Sequence, residues 1–152
     1  MLRQMSIAFG LVLALSGAAQ AQSLLMTTES KFPVKETADR LIKAIEEKGL
    51  KVAARVDHAT AAKSAGMEMP PAEVVLFGNP KLGTPLMLSN PEIAIDLPMK
   101  MLIWQDKAGK VQVGYVGPDA LKARYGIKDR DEAFATMTGA LAAFAKAAAG
   151  KN

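Results

Sequence analysis

His58 is the single histidine of a chain that contains no cysteine. Imidazole acid–base chemistry and imidazole metal binding therefore rest on one side chain. Asp57 precedes it, at a junction between an alternating stretch and an Ala-rich one. At a helix start the dipole favours the neutral ring, which can take a proton or bind a metal. The plainer role is a hydrogen bond to a backbone carbonyl that seals the turn. A zinc site would need carboxylate partners or a second subunit, since His58 has no thiolate or imidazole partner. Thiol catalysis and attached c-type haem are excluded. Metal through His58 is a minor reading, and no cofactor is expected.

The other residues suited to chemistry lie at breaks in apolar segments. Asp96 sits between Ile95 and Leu97, just before Pro98. A carboxylate there either accepts several backbone N–H bonds or lines a cleft. Lys100 interrupts an apolar run from Met99 to Trp104. Burial would lower its pKa, and pairing with Asp96 would oppose that. On an edge, its ammonium would simply reach water. Tyr115 is expected on the neighbouring strand, in contact with Lys100 or as an amphipathic rim residue. Glu73, at a strand entrance, is expected to be exposed. Met67, Met69, Met87, Met99 and Met101 could offer soft ligands to copper(I), but methionine is also a core filler and no dense cluster occurs.

The stretch VVLFGNPKLGTPLM, from Val74 to Met87, has two readings. Its glycines and a following helix start could form a nest for an anion. Alternatively, Gly78 takes a positive φ, Pro80 holds Asn79 extended, and the chain simply leaves its strand. The spacing matches neither a Walker loop nor a dinucleotide fingerprint. Asn79 is its candidate contact residue.

These positions must be held by a fold that the patterning outlines. Val34, Ala38, Leu41, Ile42 and Ile45 mark one face of a helix that Gly49 stops. Leu50 to Val56 alternates, which puts Leu50, Val52, Ala54 and Val56 on the buried side of a strand. Asp57 should cap a short helix that ends near Gly66. Strands are expected over Ser23–Thr28, Glu73–Phe77, Met99–Gln105 and Lys110–Val116, with a hairpin turn at Asp106–Gly109. Short helices are expected over Pro85–Leu88 and Pro118–Tyr125. A last helix begins near Asp129, with Glu132 completing a capping box. The order implies one α+β domain, with two layers, a mixed or antiparallel sheet, and helices on one face.

The N-terminus reads as a secretory signal peptide over residues 1–21. Arg3 precedes an apolar run from Ile7 to Leu15, and Ala19-Gln20-Ala21 fits a cleavage site. The run is too short to span a bilayer. The expected domain is 22–146, with a flexible tail over 147–152. A periplasmic location follows, with no membrane span after cleavage. The chain has 19 Lys+Arg and 15 Asp+Glu, a net charge of +4. No dense basic cluster is present, so nucleic acid is not an expected partner.

Together, GLKVAARVDHA (Gly49–Ala59), PAEVVLFGNP (Pro71–Pro80), GTPLM (Gly83–Met87), AIDLPMK (Ala94–Lys100) and Tyr115 with Tyr125-Gly126 resemble the DUF302 family, a domain of unknown function. The resemblance runs from about Ser23 to Gly126. It implies a compact α+β sandwich and a homodimer, and lends no reaction. Its signature positions fall on His58, Phe77, Gly78, Asn79, Pro80, Asp96, Leu97, Pro98, Lys100 and Tyr115. Met67-Glu68-Met69 and the Ala/Lys-rich C-terminus depart from the family pattern without removing a polar signature residue. The first functional expectation is a small-ligand-binding or accessory module, with His58, Asn79, Asp96, Lys100 and Tyr115 around a small polar or anionic ligand. The second is a structural or interaction homodimer. The third is an enzyme using His58 as acid/base, though no nucleophile is evident.

Overall fold

A computed structural model describes residues 24–151. The expected signal peptide lies outside the described residues, as does Asn152. Strand β1 (Leu25–Ser30) leads into helix α1 (Val34–Glu47), then β2 (Lys51–Asp57) and α2 (His58–Ser64). Next come β3 (Ala72–Gly78), α3 (Pro80–Ser89) and a 3-10 turn at Pro91–Ile95. The hairpin β4 (Met99–Gln105) and β5 (Val111–Val116) precedes α4 (Pro118–Arg124) and α5 (Asp131–Ala149). The sheet order is β1-β5-β4-β3-β2, with every neighbouring pair antiparallel. The α+β expectation holds, with the sheet antiparallel throughout.

Helices α1 and α5 pack on each other and cover one face of the sheet. From α1, Val34, Ala38, Leu41 and Ile45 are buried; from α5, Phe134, Met137, Leu141 and Phe144. They meet Val75, Phe77, Met101, Ile103 and Val113 in one core. The α1 stripe read from the sequence is the one that buries, because a helix at this interface can hide only one face. Gly49 ends α1 in the left-handed conformation (φ 72°), which glycine adopts without steric cost. Asp57 caps α2 as expected, its Oδ1 accepting from the Thr60 N–H at 2.9 Å.

Four local expectations are corrected. In β2, the register shifts between Val52 and Ala54. Val52 lies opposite Phe77, on the helix-covered side, but Ala54 and Val56 lie opposite Leu76 and Val74, on the other side. A bulge has inserted one residue and reversed the alternation. Arg55 is thereby turned to the helix side, opposite Val75. Helix α3 starts at Pro80 rather than Pro85, with Pro85 inside it. Helix α5 starts at Asp131 without a side-chain cap. Asp129 instead accepts from the Ser89 hydroxyl at 3.1 Å. Finally, 147–149 is not a flexible tail. Ala148 and Ala149 are buried, and the Ala149 carbonyl accepts from the Lys31 N–H at 3.2 Å. Gly150 then turns with φ 68°, and a Cβ there would meet the Phe32 ring at 2.5 Å.

Candidate functional site

A cavity of about 770 Å³ opens where β3 ends and β4 begins. Phe77 and Gly78 contribute from β3, Pro98 and Met99 from the start of β4, and Leu82, Gly83 and Met87 from α3. Ala140, Leu141 and Phe144 of α5 form a wall, and Gly49, Leu50 and Lys51 of the α1–β2 corner reach the same space. Phe77 and Phe144 meet edge to face, with ring centroids 5.5 Å apart. Leu82, Met87, Leu97 and Ala140 touch the core yet are only partly buried. Each presents apolar surface to the cavity. Its lining contains one charged residue, Lys51, and no carboxylate. Lys51 is exposed, and its side chain has no ion-pair or hydrogen-bond partner among the described residues.

The strand-exit stretch forms one side of this cavity. Gly78 stays in the strand without a positive φ, contrary to the expectation for it. Its requirement is space: a Cβ would lie 3.2 Å from the Pro98 Cβ. Asn79 is extended, as its place before proline dictates, and its Oδ1 accepts from the Lys81 N–H at 3.0 Å. The Leu82 and Gly83 N–H groups donate to the Asn79 carbonyl, both at 2.9 Å. The helix start is therefore satisfied from within and is not an open nest for an anion. The Asn79 Nδ2 remains as a donor beside the cavity.

The five candidate residues do not converge. Asn79 alone lines the cavity. His58 stands exposed at the far end of β2, about 20 Å along the strand from the Lys51 end. It has no hydrogen-bond partner among the described residues, so neither the sealing bond nor an acid/base pairing with Asp96 or Lys100 is present. Among the described residues, no cluster of three His, Cys, Asp or Glu side chains could hold a metal ion. Lys100 belongs to the central strand rather than an edge. Its ammonium donates to the backbone carbonyls of Asp96 (3.1 Å) and Pro98 (3.3 Å), not to the Asp96 carboxylate. Tyr115 follows Gly114, which faces Leu102 across the hairpin, so Tyr115 and Lys100 point to opposite faces of the sheet. Tyr115 is buried, and burial pushes its phenol up. The methionines are dispersed: Met67 and Met69 are exposed, Met99 and Met101 buried, and Met87 lines the cavity.

Asp96 ties the 3-10 turn to α4 through side chains, not through backbone N–H groups. Its Oδ2 accepts from the Tyr125 hydroxyl at 2.5 Å and from Arg124 at 3.0 Å. The Tyr125 bond, helped by Arg124, holds the Asp96 carboxyl below the usual carboxylate range. A pKa lower in the folded than in the unfolded chain gives stability that is present above the ordinary Asp pKa and lost as pH falls through the folded value. Thermal melts taken downward from about pH 5 should therefore steepen in the wild type. Asp96→Asn should lower stability by about 1.5 kcal/mol at neutral pH and flatten that acid slope. An unchanged slope in the variant would remove this role from Asp96.

Residues 26–144 match the family model described as "Domain of unknown function DUF302", and the chain belongs to that family. The match extends past Gly126 to include most of α5. The crystal structure of an uncharacterized conserved DUF302 protein from Bacillus stearothermophilus superposes with a TM-score of 0.74. It covers 84% of this chain and 99% of that one, at 20% identity, and so shares the fold. Curated relatives include "Fluoride-specific ion channel FluC 1" of Brucella suis and of Brucella abortus, each 41% identical over 103 residues. That region is 68% of this chain but 41% and 38% of those relatives, so the chain spans about two fifths of their length. No helix among the described residues is long and apolar enough to cross a membrane.

Proposed function

We propose that this chain is a binding protein that holds a small molecule with a largely apolar body in the cavity beside α3. The observation that carries this reading is a cavity of about 770 Å³ whose lining has one charged residue. Sites for small molecules occupy roughly 300–1,000 Å³ and combine apolar walls with a few polar groups. Leu82, Met87 and Leu97 gain contacts when such a body enters, which offsets the water-exposed apolar area they otherwise leave. The expected polar ligand is thereby revised: polarity belongs at the rim, near Lys51 and Asn79. Fluoride is a poor candidate for this space, since a small anion needs converging donors or a hard cation rather than hydrocarbon. The channel name stays with the relatives, and the shared region is read as an accessory module. Export to the periplasm and a homodimer belong to the same proposal, from residues 1–21 and the family resemblance. Sedimentation of the purified chain tests the dimer.

The neutral fluorophore phenylnaphthylamine, which brightens in apolar surroundings, tests the cavity. Its emission should rise with the wild type and fall to background with Ala140→Trp, at unchanged melting temperature. Gly83→Leu provides a second block, because a Cβ at Gly83 meets only Leu97, at an ordinary 3.6 Å. Equal emission from the wild type and both variants would reject the cavity as the site.

A further inference from the structure

We infer that the ligand carries an anionic head group, seated at the rim against Lys51. This inference rests on the cavity reading above. The walls from α3, α5 and the sheet offer hydrocarbon, and no lining side chain carries negative charge. The single charged residue of the lining is Lys51. Lys51 stands opposite Gly78 in the β2–β3 pairing, so it flanks the strand exit that leads to Asn79. Among the described residues its side chain has neither a carboxylate partner nor a hydrogen bond. Asn79 adds a neutral donor at the same rim. Its Oδ1 is engaged by Lys81, so the amide group left over is the Nδ2, which can only donate. Thr84, also on the lining, is exposed and its hydroxyl has no hydrogen-bond partner among the described residues. A cation and an amide donor at the mouth of a hydrocarbon cavity suit an amphiphilic anion: a carboxylate, sulfate or phosphate ester on an acyl or fused-ring body. A cationic head would meet Lys51 with like charge. A neutral alcohol would gain nothing from the charge.

The experiment is calorimetric titration with three twelve-carbon probes below their micelle concentrations: laurate, dodecanol and dodecyltrimethylammonium. In the wild type, laurate should bind about tenfold more tightly than dodecanol, the size of one charge-assisted contact at a partly exposed site. Dodecyltrimethylammonium should be the weakest. Lys51→Met keeps most of the length of the side chain and removes its charge, and should bring laurate to the affinity of dodecanol without changing that of dodecanol. Raising the salt concentration should narrow the wild-type preference in the same direction. Equal affinity of laurate and dodecanol in the wild type would overturn the head-group inference, as would a laurate preference that survives in Lys51→Met. Failure of laurate to bind while phenylnaphthylamine still binds would also overturn it and leave the cavity reading standing. Failure of all four probes would overturn both.

Discussion

Arg55→Met is expected to lose about 3 kcal/mol of unfolding free energy in urea, and Arg55→Met/Glu73→Met to regain most of it. The bulge in β2 turns Arg55 towards the helix layer. There its Nε donates to Glu73 Oε2, and its Nη1 to Asp39 Oδ1, both at 2.5 Å. Glu73 is 6% exposed, and Arg55 is the partner of its carboxylate. The two carboxylates hold the guanidinium proton even more firmly than usual, with Glu73 the larger influence. Removing Arg55 alone leaves Glu73 buried and uncompensated. Removing both charges replaces a partly buried ion pair with hydrocarbon, a change that is often neutral. The Arg55–Asp39 contact is more exposed and contributes less. If the double variant is as unstable as the single one, the loss comes from packing of the Arg55 stem rather than from the stranded charge.

Phe144→Ala is expected to cost about 4 kcal/mol and to enlarge the cavity. Phe144 is 4% exposed, and its ring meets that of Phe77 at 90°. The same ring forms part of the cavity wall, so truncation removes core contacts and wall together. Phe144→Leu should cost about 1.5 kcal/mol, since it keeps much of the volume. Urea melts give both values, and phenylnaphthylamine emission reports the cavity. The Ala variant should still bind the fluorophore while folded. A loss below about 1 kcal/mol for Phe144→Ala would show that this wall is not part of the core. Together with Ala140→Trp, which narrows the space at little cost, the pair separates support of the fold from occupancy of the site.

The regular elements were legible because each carries its own periodic signal. The stripe of α1, the hairpin turn and the Asp57 cap all depend on residues within a few positions of one another. The bulge was not legible, because no glycine or proline marks Val52–Ala54, and it alone decides which way Arg55 points. Glu73 could not be recognised as buried without knowing that Arg55 is across the strand. Asp96 finds its partners at Arg124 and Tyr125, 28 and 29 positions away. Alanine in α5 gave the helix no stripe near its end, yet Ala148 and Ala149 bury because small side chains allow close packing. Of the candidate site, sequence reasoning reached Asn79 and missed Lys51. It also read Met87 only as a core filler or a possible soft metal ligand. A cavity is a property of the space between elements, and no single segment encodes it. The exposed lysine at the first residue of an alternating strand was the available signal, and by itself it is indistinguishable from an ordinary solvated one.

The sheet order also sets a schedule for folding. Strands β2, β3, β4 and β5 lie side by side in chain order, so each pairing closes a comparatively short loop. Strand β1 is the exception: Leu25 pairs with Val116, roughly 90 residues later. It leaves the ribosome before the other strands, but its partner is the last of the five strands to be made. The four-strand meander can assemble while β1 waits, and β1 then locks on as an edge strand. The step that closes the sheet is therefore also the step that ties the beginning of the fold to its end, and contacts made by β1 should be among the latest to form.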